Sequence, residues 1–216
     1  IVHNRSLEAY HFQEPIVHSM ADALKANVGG GRALFSGFVL HELSFGHLAP
    51  LASFSGVPLI ASSPFHSVWW YTDAVPYSYR IRGPVGVEEY LDLMNVTVTV
   101  AHESHWKRLF ASQVEKYRSI WKAGRFEMFA RKVDRPNFFL EGAGKVLEQG
   151  SGGVRVEMET ADAVLRFNYF PFLRAEGCTI EPYRDKPEVT LIRLRNCVPG
   201  QVVMIESVSP LSRLLM

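Results

Sequence analysis

Residues able to move a proton gather in a few places along the chain. Residues 60–67 read IASSPFHS and set Ser62, Ser63 and Ser67 around His66, while His41 and Glu42 stand side by side earlier in the sequence. An imidazole takes a proton from a hydroxyl near neutral pH, and a carboxylate beside it holds the ring in the tautomer that does so. Neighbouring residues point apart on a strand or a helix, so His41 and Glu42 cannot serve each other. His66 meeting Glu42 or His41 across the ends of two parallel strands is the arrangement that would serve, and these three are the candidate catalytic residues. A nucleophilic serine would need a strained turn such as G-x-S-x-G, which the sequence lacks. His102 and His105 would share one face of a helix, with Glu103 alongside. H-E-x-x-H spacing and a third ligand are both missing, so a metal site is not expected.

Other patterns exclude more than they suggest. Gly29-Gly30-Gly31 follows a helical stretch and lacks a Gly-Lys-Ser/Thr ending, so it is a turn before a strand and not a phosphate loop. Arg125, Arg131, Lys132 and Arg135 are interleaved with Glu127 and Asp134 and read as a solvated helix face, not a nucleic-acid stripe. Net charge is +1 over 216 residues, which draws the chain neither to nucleic acid nor to anionic surfaces as a whole. With 47% hydrophobic and 21% charged residues the chain is globular, and no run is long enough for a membrane span.

The elements that must hold these residues differ between the two ends of the sequence. Residues 13–27 place Ile16, Met20, Ala23 and Leu24 at helical spacing. Ala33–Leu40 and Val57–Ala61 are short apolar runs with a helical stretch, Leu43–Phe54, between them. Strand, helix, strand predicts a βαβ unit and a parallel sheet, whose ligand sites lie at the carboxyl ends of the strands. Residues 62–84 are loop-like and aromatic. Glu88 to about Ala130 is predicted mainly helical, with the β-branched run Val96–Val100 open between helix and strand. Beyond a glycine-rich, flexible zone at 142–153, the runs 154–159, 164–170, 189–195 and 201–208 alternate as antiparallel strands. The expected fold class is therefore α/β: a parallel βαβ-type domain over 1–130 and a β-rich antiparallel domain or extension over 131–216.

The aromatic loop admits two readings. Phe65, Trp69, Trp70 and Tyr71, with Tyr77 and Tyr79 following, either line an apolar cleft for a lipophilic or sugar-like ligand or close the core between sheet and helix. In the first reading Ser62, Ser63, Phe65, Trp69, Trp70 and Tyr71 are the substrate-binding residues.

The stretch RALFSGFVLHELSFGHLAPLASFSGVPLIASSPFHSVWWYTDAVPYSYR resembles the acceptor-binding half of animal UDP-glycosyltransferases, especially the insect and nematode branches. The likeness runs through the strand Ala33–Leu40, the acidic loop His41-Glu42, the helix Leu43–Phe54, the Val57–Ala61 strand with its inner proline, the Ser62–Tyr71 loop and the turn Pro76-Tyr77-Ser78-Tyr79. It implies a transferase module that binds a lipophilic or small hydroxyl-bearing acceptor. Three departures accompany it. The family's N-terminal catalytic histidine has no counterpart here, Ser36-Gly37 stands where an acidic residue is expected, and the donor half is missing. The resemblance therefore implies no bound cofactor, a UDP-sugar donor only if it holds, and a protein partner that supplies the other half. The alternative is a non-enzymatic ligand-binding or protein-interaction subunit of a larger assembly.

Two sequons, at Asn4 and Asn95, mark candidate glycosylation sites, and Cys178 with Cys197 can close a disulfide or stay as buried thiols. Together they favour the disulfide and a secreted or lumenal chain. The opening Ile1-Val2, without an initiator Met, reads as a processed product or a fragment.

Overall fold

The computed structural model describes residues 15–36, 51–52, 55–60, 73–134, 136–150, 153–186 and 188–207. Among them the chain divides into two units, 1–136 and 137–216. The division falls a few residues beyond the expected boundary.

Among the described residues the first unit begins with α1 (Pro15–Asn27). Proline suits a first helical turn, where its missing N–H is not needed. Val17, Met20, Ala21 and Leu24 form the buried stripe, so the face is rotated slightly from the expected one and Ile16 and Ala23 lie at its margin. Gly29 ends the helix at φ +59°, a conformation that side chains disfavour. β1 (Arg32–Ser36) pairs in parallel with β2 (Leu59–Ile60) on one side and with β3 (Val96–Ala101) on the other. The residues between β1 and β2 lie mostly outside the described ones, and with them most of the expected helix.

β3 settles the ambiguity at Val96–Val100. Every residue of this strand is buried, as suits a β-branched run covered on both faces. It is preceded by α2 (Tyr77–Arg80) and α3 (Gly83–Leu93) and followed by α4 (Ser104–Ala111). The expected helix stops there. Tyr117–Ala123 and Phe126–Arg131 are β4 and β5, an antiparallel hairpin turned at Gly124, whose φ of +54° the tight turn requires. The helical reading failed because β4 carries a bulge: Ser119 faces Phe129 and Trp121 faces Met128, leaving Ile120 as an extra residue. Tyr117, Ile120 and Trp121 thereby acquire helical spacing on a strand. The sheet order is β2-β1-β3-β5-β4. Ala33, Phe35, Val98, Val100, Phe126 and Met128 face the α1 stripe. On the opposite face Phe110 of α4 packs its ring on Tyr117 and Phe129.

The second unit has strands and no helix among its described residues, as the alternation predicts. β6 (Phe139–Glu141), β9 (Ala163–Asn168), β12 (Val189–Arg195) and β11 (Thr179–Lys186) form one antiparallel sheet, in the order β11-β12-β9-β6. β7 (Gly144–Gly150), β8 (Gly153–Met158), β13 (Val202–Ser207) and β10 (Leu173–Ala175) form the other, in the order β10-β13-β8-β7. Leu165, Ile192 and Leu194 of the first sheet share a core with Val156, Met158, Val203 and Ile205 of the second. Within the glycine zone expected to be flexible, Gly144–Gly150 and Gly153 lie in strands. A Cβ on Gly144 would meet the Glu157 carbonyl and the Phe139 ring, so glycine there serves close approach. Cys178 and Cys197 form the expected disulfide, 19 residues apart.

Candidate functional site

The parallel strands fix where chemistry can be placed. β1, β2 and β3 end at Ser36, Ile60 and Ala101, and Ser36 lies opposite Ala101 in the ladder. Ligands of parallel α/β sheets bind beyond such carboxyl ends, because connecting loops converge there while the strands stay rigid. Ser36 is buried and donates its hydroxyl to the Val100 carbonyl at 3.1 Å, locking β1 to β3 at this edge.

The chain leaves β3 through His102, Glu103 and Ser104 into α4. The His102 side chain is 8% exposed and its ring lies 5.9 Å from that of Phe126. His105 is open to solvent, at 61%. The two do not share a helix face as expected, because α4 starts only at Ser104 and His102 sits ahead of it, before the extended N-cap residue Glu103. Glu103 stands between them instead, with Oε1 3.8 Å from His102 Nε2 and Oε2 3.5 Å from His105 Nδ1. These are ion-pair distances rather than hydrogen bonds. One carboxylate thus faces a sheltered imidazole and an exposed one, an arrangement suited to holding a proton-accepting ring. Among the described residues no group of three metal-ligating side chains occurs.

Asp73 connects this turn to the segment before it. Its Oδ2 accepts a hydrogen bond from Trp106 Nε1 at 2.9 Å and its Oδ1 accepts one from the Val75 amide at 3.1 Å. Trp106 follows His105, and their rings lie 5.4 Å apart. The described residues that flank the serine- and aromatic-rich stretch are each held: Ile60 in the ladder beside Leu34, and Asp73 against α4. The sequence reading missed Asp73, whose role depends on a partner 33 residues away.

The expected catalytic residues His66, Glu42 and His41, the binding residues Ser62, Ser63, Phe65, Trp69, Trp70 and Tyr71, and the sequon at Asn4 all lie outside the described residues. Asn95 lies inside them. It is 5% exposed, takes φ +55° and donates its side-chain amide to the Gly30 carbonyl at 3.1 Å. Its place is at the amino end of β3, away from the candidate site.

A second polar cluster also lies toward that end and is structural. Arg131 is nearly buried, bonding Glu88 at 3.0 Å, Asp92 at 2.6 Å and the Val96 carbonyl at 3.1 Å. Burial opposes the charge on Arg131, but the Asp92 hydrogen bond and the two carboxylates hold it above its ordinary value. Tyr117 donates its hydroxyl to Glu88. Burial, reinforced by that bond, pushes the phenol well above the usual tyrosine range. Burial raises Tyr90 in the same direction. The cluster clamps α3 to the hairpin, and it corrects the reading of Arg131 as part of a solvated helix face.

No family model matches the chain, and no curated protein or solved structure does either.

Proposed function

We propose that the first unit is a glycosyltransferase-like module that binds a lipophilic or small hydroxyl-bearing acceptor beyond the carboxyl ends of β1, β2 and β3. In this reading β1, the segment after it and β2 make a βαβ unit. His66, with Glu42 or His41, takes the acceptor proton, and the residues of the 62–71 stretch hold the acceptor. Losing that proton is what makes a hydroxyl competent to attack an anomeric carbon. The UDP-sugar arrives on a partner protein that supplies the donor half. The supporting observation is the placing of the two flanking residues: parallel pairing holds Ile60, and Trp106 of the helix that follows Glu103 and its two imidazoles holds Asp73.

The disulfide fits an oxidising compartment, and we place the chain in the secretory lumen or outside the cell. Among the described residues no helix is long and apolar enough to cross a membrane.

The test is the melting temperature of the full chain with lipophilic alcohols, small polyols and a UDP-sugar. A ligand at a hundred times its dissociation constant adds about 2.7 kcal/mol to the folded state. A hydroxylic acceptor is expected to raise the transition without nucleotide, and a UDP-sugar alone to leave it in place. No shift with any hydroxylic compound overturns the acceptor reading. A shift with the UDP-sugar alone overturns the missing donor half.

A further inference from the structure

A turn in the second unit holds two phenylalanine rings outward. Tyr169 and Leu173 pack against the core of that unit, and the residues between them are left to the outside. The Leu173 amide donates to the Phe170 carbonyl at 3.1 Å. This closes a four-residue turn with Pro171 at its second position, where the fixed φ of proline fits. The Tyr169 amide donates to the Thr190 carbonyl at 2.8 Å and ties the turn to β12. On this braced turn Phe170 and Phe172 are 58% and 46% exposed.

The turn stands beside the last described residue of β13. β10 and β13 pair antiparallel, and Ser207 lies opposite Leu173, the residue after Phe172. Residues 208–216 read VSPLSRLLM and bring Val208, Leu211, Leu214, Leu215 and Met216 against a single charge, Arg213. Pro210 lacks the N–H that a further step of the ladder would use. An extended residue advances about 3.3 Å, so Leu211 can lie up to about 13 Å from Ser207, enough to reach either ring.

We propose that segment 208–216 folds back over this turn and that its leucines cover the Phe170 and Phe172 rings. Size favours a tethered occupant. The open parts of the two rings come to on the order of 200 Å², against about 800 Å² per partner in a stable complex. A segment joined to the strand beside the turn meets it at an effective concentration on the order of millimolar, so a contact this small suffices. Charge selects no lipid or charged partner in its place. Arg174 and Glu206, exposed next to the turn, face each other across the ladder with opposite signs. The proposal concerns the second unit and stands independently of the acceptor reading.

The test is photo-cross-linking in the full chain with Phe172→benzoylphenylalanine, which keeps an aromatic ring at an exposed position. Irradiation is expected to join residue 172 to residues 208–216 of the same chain, read by mass spectrometry of the digested monomer. Adding Leu214→Ser and Leu215→Ser is expected to cut that yield at least about tenfold, because the apolar area that holds the segment down is lost. Should the substituted chain fail to fold, Phe170→benzoylphenylalanine carries the same expectation. No cross-link to 208–216, or an undiminished yield in the leucine variant, overturns the proposal. So does a covalent dimer in place of the internal link, which would assign the turn to a second copy.

Discussion

Asp73→Asn isolates the tether that holds residue 73 against α4. The carboxylate accepts from two donors, Trp106 Nε1 and the Val75 amide. An amide of the same shape has one oxygen and one NH₂, so whichever way it turns, one donor faces another N–H. Trp106 is 3% exposed, and water cannot replace the lost partner there. A hydrogen bond to a charged group contributes about 1.5–3 kcal/mol and an orphaned buried donor costs a similar amount, so the substitution is expected to cost about 2 kcal/mol. With a urea slope of about 1.5 kcal/mol/M, the midpoint falls by about 1.3 M. All four tryptophans, Trp69, Trp70, Trp106 and Trp121, belong to the first unit, so tryptophan fluorescence follows that unit alone. A midpoint shift below about 0.3 M would refute the reasoning, since Asp73 would then hold nothing that solvent cannot replace.

Two further outcomes test other parts of the structure. Reducing Cys178–Cys197 opens a closure of 19 residues in the second unit and is expected to cost that unit about 3 kcal/mol; far-UV circular dichroism with and without reductant reads this, and an unchanged unfolding curve argues against the bond as a staple. Tyr90 and Tyr117 are raised above their unfolded values, so the neutral form is favoured in the folded state. Their contribution to stability is complete below about pH 10 and declines as pH climbs from there through the folded values. Alkaline titration of the phenolate absorbance is expected to show Tyr90 and Tyr117 ionising only as the chain unfolds, and smooth titration of all eight tyrosines without unfolding would contradict it.

What the sequence made legible was local periodicity. The α1 stripe and the alternating runs that became β8, β9, β12 and β13 announce themselves because each buries one face against a single core. β4 was hidden by the extra residue Ile120, which gives a strand the spacing of a helix turn. β7 was hidden by its terminal glycines, of which Gly144 serves close packing, and β11 by Pro182 and its charges on an edge strand. The site was legible only as residue types. His102, Glu103 and His105 stood out as a cluster, but their geometry depends on where α4 begins, and a start one turn earlier would have placed both imidazoles on a common face. The Asp73–Trp106 bond is a product of tertiary packing and leaves no short-range signal.

The most direct measurement follows the imidazole signals of His102 and His105 by NMR while a lipophilic alcohol that raises the melting temperature is added. Both residues, at the carboxyl edge of the parallel strands, are expected to shift with the ligand and to report the same dissociation constant as the thermal shift. Ligand binding that leaves both rings unmoved, or that moves only residues of the second unit, contradicts a site at that edge.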